Sequence, residues 1–287
     1  MIKKKLRAVA KRVWKWRQED PKNGRYHYDD PNVFVYAELN ALLTGILKEG
    51  GCRPRYTWGV IHGAHLAKMI GIGHISAIEF GVASGNGLLS LERTAEKVAS
   101  ALGVRIDVYG FDTGKGLPKP ESHVDMPNLY AAGDYSMDSD ALQKCLNKAQ
   151  LILGLVQDTV PRFIESSPAP VAFISIDLDF YSSTMHAFKL LEAHQRFLLP
   201  RVHCYFDDIM ALTCGDCVGE RLAISEFNVS HDVRKISRIY GLRHCLPPRL
   251  ADQIWVEMFY MAHIFDHDLY GAYDGLVKGR DTDLKPK

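Results

Sequence analysis

Glu79-Phe80-Gly81-Val82-Ala83-Ser84-Gly85-Asn86-Gly87 decides how the rest of the chain is read. A β-rich run, Ile75–Phe80, leads into it. Behind it Leu88, Leu91, Ala95, Val98 and Leu102 recur at helical spacing. The stretch is therefore a sharp turn between a strand and a helix. Glycine suits such a turn because the backbone must bend tightly and approach a ligand with no Cβ in the way. The first N–H groups of the following helix have no intrahelical acceptor and face the same side. The spacing is not the dinucleotide G-x-G-x-x-G, and Gly114-Lys115-Gly116 does not complete a phosphate loop. The plainer alternative is that the glycines serve helix–sheet packing only.

Outward from the turn, short β-rich runs alternate with helical segments, which predicts βαβ units and a parallel sheet. The runs are Ile75–Phe80, Val104–Phe111, Leu151–Leu155, Val171–Asp177 and Val202–Phe206. Two later runs, Val233–Tyr240 and Gln253–Phe265, are joined across Pro247-Pro248 and predict an antiparallel pair. The expected fold is α/β: a mostly parallel seven-stranded sheet with an antiparallel last strand and helices on both faces. Upstream, Val33–Leu47 and Tyr56–Ile70 read as helices, and the polar, turn-rich residues 19–31 as a linker. The expected organisation is an arm and linker over 1–31, a helical cap over 32–74 and a main domain over 75–287.

Acidic residues sit where these strands end. Glu79 closes the first and Asp112 the second, where a carboxylate can accept hydrogen bonds from a ribose diol. The fourth ends in Asp177-Leu178-Asp179-Phe180-Tyr181-Ser182-Ser183-Thr184 and the fifth in Asp207-Asp208. In an open parallel sheet these ends face one crevice, so four carboxylates converge there. Their mutual repulsion would raise their pKa values. A hard divalent cation removes that cost, and Mg²⁺ or Ca²⁺ fits better than zinc because no His or Cys joins at matching spacing. The alternative is solvated strand-end acids, with Asp207 or Asp208 capping the next helix.

Together, E-x-G-V-x-x-G at Glu79–Gly85, D-x-D-x-Y-x-S-T at Asp177–Thr184 and D-D at Asp207–Asp208 resemble the macrocin O-methyltransferase family. Gly110-Phe111-Asp112, Gly116-Leu117-Pro118, Asp158-Thr159-Val160-Pro161 and Gly219–Phe227 extend the resemblance over about residues 75–230. It implies a Rossmann-like class I methyltransferase fold, S-adenosylmethionine as cofactor, and metal-assisted methylation of a sugar or other small-molecule hydroxyl. By matching position, Asp177, Asp207 and Asp208 would hold the metal and Asp179 would be the general base. Gly81, Gly85 and Gly87, with Ser84 in the same turn and Glu79 beneath, would line the cofactor, and Asp112 would take its ribose. Residues 119–150 depart from the family pattern, which leaves the acceptor open.

With 47% hydrophobic and 24% charged residues over 287 positions, the chain is neither fibrous nor disordered. Its 35 Lys and Arg nearly cancel its 34 Asp and Glu, so no overall field favours nucleic acid. Eight of the bases lie within residues 1–17, which contain no acid; the remainder of the chain is acidic, with 27 bases against 34 acids. Ile2, Leu6, Val9, Val13 and Trp16 form one helical stripe in this arm, which could lie on an anionic membrane, dock on the protein itself, serve as an organellar targeting peptide, or be a solvated terminal helix. No run approaches the roughly 18 apolar residues of a spanning helix. Lys11 and Arg12 interrupt any signal-peptide core, and six cysteines are too few for a disulfide scaffold, so a cytoplasmic protein with reduced thiols is expected. Self-association stays open. Cys214-Gly-Asp-Cys217 reads as a pair of loop cysteines. Two other functions compete: a glycosyltransferase using Asp177-Leu178-Asp179 as its D-x-D motif, and an inactive methyltransferase-like scaffold.

Overall fold

A strand as apolar as Ile75–Phe80 must be covered on both faces, and the rest of the chain is arranged to do so. The computed structural model describes residues 33–210 and 215–272. In order, these form α1 (Val33–Lys48), α2 (Pro54–Met69), β1 (His74–Phe80), α3 (Asn86–Leu102), β2 (Arg105–Asp112), α4 (Ser139–Cys145), β3 (Gln150–Leu153), α5 (Val156–Glu165), β4 (Val171–Ile176), α6 (Tyr181–Phe188), β5 (Leu198–Phe206), α7 (Gly219–Ser230), β6 (Arg234–Arg238), α8 (Pro248–Ala251) and β7 (Phe259–Ile264). The basic arm, the linker and Cys214 lie outside the described residues.

The strands form one seven-stranded sheet in the order β3-β2-β1-β4-β5-β7-β6. β1 through β5 are parallel, and β7 runs antiparallel to both β5 and β6. This is the Rossmann-like, mostly parallel α/β sheet that the sequence predicts. α2 and α3 pack on β1, β2, β4 and β5, with α1 against them, while α5, α6 and α7 form the other layer. The chain reverses direction across the sheet between β1 and β4, so the crevice opens at their C-terminal ends. That places Glu79, Asp112, Asp177 and Asp207-Asp208 along one edge.

Local sequence explains the elements that frame this edge. Leu88, Leu91, Ala95 and Val98 are buried on one side of α3. Burying each of the two leucines contributes about 1.5–3 kcal/mol. β4 is buried at every position, as a central parallel strand should be. The last strand is shorter than expected. Ile254–Met258 is a 3₁₀ turn and β7 starts only at Phe259. Trp255, Val256 and Met258 are buried there as packing groups without pairing to a neighbouring strand. The link from β6 is likewise longer than a hairpin turn, containing a 3₁₀ turn at Leu242–Cys245 and α8. Among the described residues, no helix is long and apolar enough to cross a membrane.

Candidate active site

The turn after β1 is tied to β2 on one side and touches β4 on the other. Gly81 has φ +82° and donates its N–H to the Phe111 carbonyl at 2.9 Å. A Cβ on Gly81 would lie 1.7 Å from the Asp177 carbonyl oxygen, so only glycine fits between the two strand ends. Gly85 is the N-cap of α3, and no side chain caps that helix. Gly87 faces the carboxylate of Glu79; a Cβ there would meet Oε1 at 1.8 Å. Ser84 is exposed, and its hydroxyl accepts a hydrogen bond from the Asn86 amide.

Asp112 is engaged mainly by backbone. One carboxylate oxygen accepts the N–H groups of Val82 (2.9 Å) and Ala83 (3.0 Å), and the other accepts that of Gly114 (2.7 Å). An ionised carboxylate offers about four acceptor positions, so this residue latches the glycine turn to the loop after β2 with roughly one position to spare. Glu79 is almost fully buried. Its Oε1 accepts from the Tyr56 hydroxyl at 2.6 Å, while Oε2 has no hydrogen-bond partner among the described residues. Burial pushes its carboxyl up to about 8, opposed by the Tyr56 hydrogen bond and by Arg53.

The strand-end acids do converge. One carboxylate oxygen from each of Asp177, Asp207 and Asp208 lies within 4.8 Å of the others. Burial, and then the charge of Asp208 and Asp207, raises Asp177 to about 8. Asp208 reaches about 8 through burial followed by Asp179 and Asp207. Asp179 stands beside this group but outside it. Its backbone has φ +60°, and its N–H donates to Asp208 Oδ2 at 3.0 Å. Burial brings its carboxyl to about 6, opposed by a hydrogen bond from Tyr130. The donor set is all oxygen, the chemistry Mg²⁺ or Ca²⁺ takes. Divalent charge would offset the repulsion that burial aggravates.

Several residues join the site that the sequence did not single out for it. Arg53, Arg55 and Tyr56 come from the start of α2. Tyr205, on β5, donates its hydroxyl to Asp207 at 2.6 Å. Glu220 is completely buried; it accepts the Asp208 N–H at 3.1 Å and leaves Oε1 without a partner among the described residues. The loop before α4 reaches over the acids. Asp125 anchors it by accepting from the N–H and hydroxyl of Ser182, and the Tyr130 hydroxyl comes 3.5 Å from Asp208. An R-x-R-Y segment opening a helix was the one visible signal for the first group. Nothing in spacing marks the others.

Trp58 is buried, with His62 stacked on it at 4.2 Å and His203 edge-on at 5.5 Å, so all three are core residues between α2 and the sheet. Tyr181 donates to Glu226 at the surface. Cys217 is an exposed free thiol, and among the described residues it joins no cluster of metal-binding side chains.

No protein-family model and no curated protein matches this chain. Similar solved structures exist. The calicheamicin methyltransferase CalS11 is 22% identical, with 73% of this chain and 89% of that chain covered and a TM-score of 0.42. The O-methyltransferase NovP is 14% identical, covering 72% and 94%, with a TM-score of 0.47. An O-methyltransferase from Bacillus cereus in complex with SAH is 13% identical, covering 82% and 91%, with a TM-score of 0.37.

Proposed function

We propose that the protein is an S-adenosylmethionine-dependent O-methyltransferase acting on a hydroxyl of a small molecule or sugar, assisted by a divalent cation. The observation that carries this is contiguity. The acid group of Asp177, Asp207 and Asp208 adjoins the glycine turn through the Gly81–Asp177 contact, at the crevice where the strand order reverses.

The residues fit both groups. Asp177, Asp207 and Asp208 would hold the cation, which supplies charge stabilisation to a hydroxyl losing its proton. The uncapped start of α3 and the unpartnered Glu79 Oε2 suit the amino-acid end of the cofactor, whose sulfonium carries the methyl group. Gly81, Ser84, Gly85 and Gly87 let that end approach the backbone, and Asp112 holds the turn in shape while facing the ribose side. Methyl transfer is an in-line displacement, so the chain must hold the acceptor oxygen near 3 Å from the methyl carbon. Asp179, poised at about 6, is suited to accept the hydroxyl proton at neutral pH. Tyr130 and the exposed Tyr135, on the loop over the acids, would wall the acceptor side.

The D-x-D glycosyltransferase reading fares worse, because Asp177 groups with Asp207 and Asp208 from the next strand, and Asp179 lies beside that group instead of completing it. Calorimetry with S-adenosylhomocysteine and with a UDP-sugar separates the two. The proposal expects binding of the first and not of the second, and the opposite result ends it. An inactive scaffold is separated by turnover, since it transfers no methyl group whether or not it binds the cofactor.

A further inference from the structure

One charged group at this edge lacks the partners its chemistry demands. The guanidinium of Arg55, at the start of α2, lies against the rings of Tyr56 and Tyr205, 5.5 and 5.3 Å from their centroids. Its side chain is 26% exposed. Its Nη2 is 3.9 Å from Asp207 Oδ1, too far for a hydrogen bond. Its Nε is buried, with no acceptor among the described residues. Arg53 differs: its N–H donates to the Ser90 hydroxyl at 2.7 Å and its Nη1 to the Tyr56 hydroxyl at 3.4 Å. Asp207 is not free to swing over, because the Tyr205 hydroxyl already holds the same oxygen at 2.6 Å.

Burial disfavours the Arg55 charge, but Tyr205, Tyr56, Asp207 and Asp177 more than restore it. The result is a permanent cation held against two rings, with a planar fork of donors unspent. Leaving buried donors unmade is expensive, and a guanidinium fork matches the two oxygens of a carboxylate or phosphate.

We infer that Arg55 is an oxyanion-binding residue, receiving a carboxylate or phosphate oxygen of a bound ligand beside Asp207. Two sources supply that chemistry, and naming them rests on the methyltransferase reading: the carboxylate of the cofactor's methionine part, or an anionic group on the acceptor.

Calorimetric titrations in EDTA of the wild type, Arg55→Gln and Arg55→Lys separate them. The probes are S-adenosylhomocysteine, 5′-methylthioadenosine, which lacks the amino-acid tail, and inorganic pyrophosphate added to the S-adenosylhomocysteine-loaded protein. If the cofactor is the source, Arg55→Gln weakens S-adenosylhomocysteine at least tenfold and leaves 5′-methylthioadenosine unchanged. If the acceptor is the source, S-adenosylhomocysteine is unchanged and pyrophosphate binding falls at least tenfold. Arg55→Lys, which keeps the charge without the fork, gives a smaller loss in the same arm. It carries the test should Arg55→Gln fail to fold. No loss in either arm, or an equal loss for both nucleosides, overturns the inference. A wild type that binds neither nucleoside removes the methyltransferase reading instead, and pyrophosphate titration of the unliganded chain then decides for Arg55 by the same tenfold criterion.

Discussion

Two sets of carboxylates in this chain are treated in opposite ways. At the β2 end, Asp112 accepts three backbone N–H groups. Glu92, buried on α3, does likewise for Asn147, Lys148 and Ala149. These acids are satisfied by the chain, and they fasten loops. At the ends of β4 and β5, Asp177, Asp207 and Asp208 are crowded together; beside them Glu79 on β1 and Glu220 on α7 each keep a buried oxygen without a partner among the described residues. Under the proposed function, the chain satisfies the first set with its own backbone donors and keeps the second for the cation and cofactor.

The contrast can be broken most severely where its two halves meet. Gly81→Ala places a Cβ on the Asp177 carbonyl and puts alanine at φ +82°. It should cost about 4 kcal/mol or more in chemical denaturation, or abolish folding. Asp179→Asn removes the proposed base and leaves the fastenings intact, so turnover should fall by roughly 10²–10⁴-fold while S-adenosylhomocysteine binds within a few fold of the wild type. Loss of cofactor binding would show that the residue is a fastening instead. Asp112→Ala should do the reverse. Three N–H groups lose their acceptor, and denaturation should report a loss of about 2 kcal/mol together with weaker cofactor binding.

A last effect is in pH. Asp177 and Asp208, raised to about 8, hold protons in the folded chain at pH values where the unfolded chain, with carboxyls near 4, has released them. Their contribution is therefore fully present below about 4 and is lost as pH rises toward 8. In EDTA the melting temperature should fall by several degrees between pH 5.5 and 8, and Mg²⁺ should flatten that slope. A melting temperature that rises over this range in EDTA would contradict the crowding of the acids.

Much of this edge was legible in the sequence because its signals are local. The α3 stripe and the strand-to-helix turn follow from spacing over a few residues, and placing acids at the ends of parallel strands follows from topology. What could not be read depends on contacts between distant segments. That Gly81 must be glycine because of the Asp177 carbonyl is visible only once β1 and β4 are paired. Arg53, Arg55 and Tyr56 look like an ordinary helix start until α2 is laid across β4 and β5. Asp112 was expected at a ribose, and its hold on the glycine turn depends on N–H groups that composition does not reveal. The apolar Trp255-Val256 pair read as strand because burial and pairing leave the same hydrophobic mark.

The account rests on a cation among Asp177, Asp207 and Asp208, and calorimetric titration of Mg²⁺ into the chelator-stripped protein tests it most directly. It predicts saturable binding of one ion per chain, with protons released, at pH 7.5, both lost in Asp177→Asn. Absence of binding in the wild type, or unchanged binding in Asp177→Asn, would contradict it.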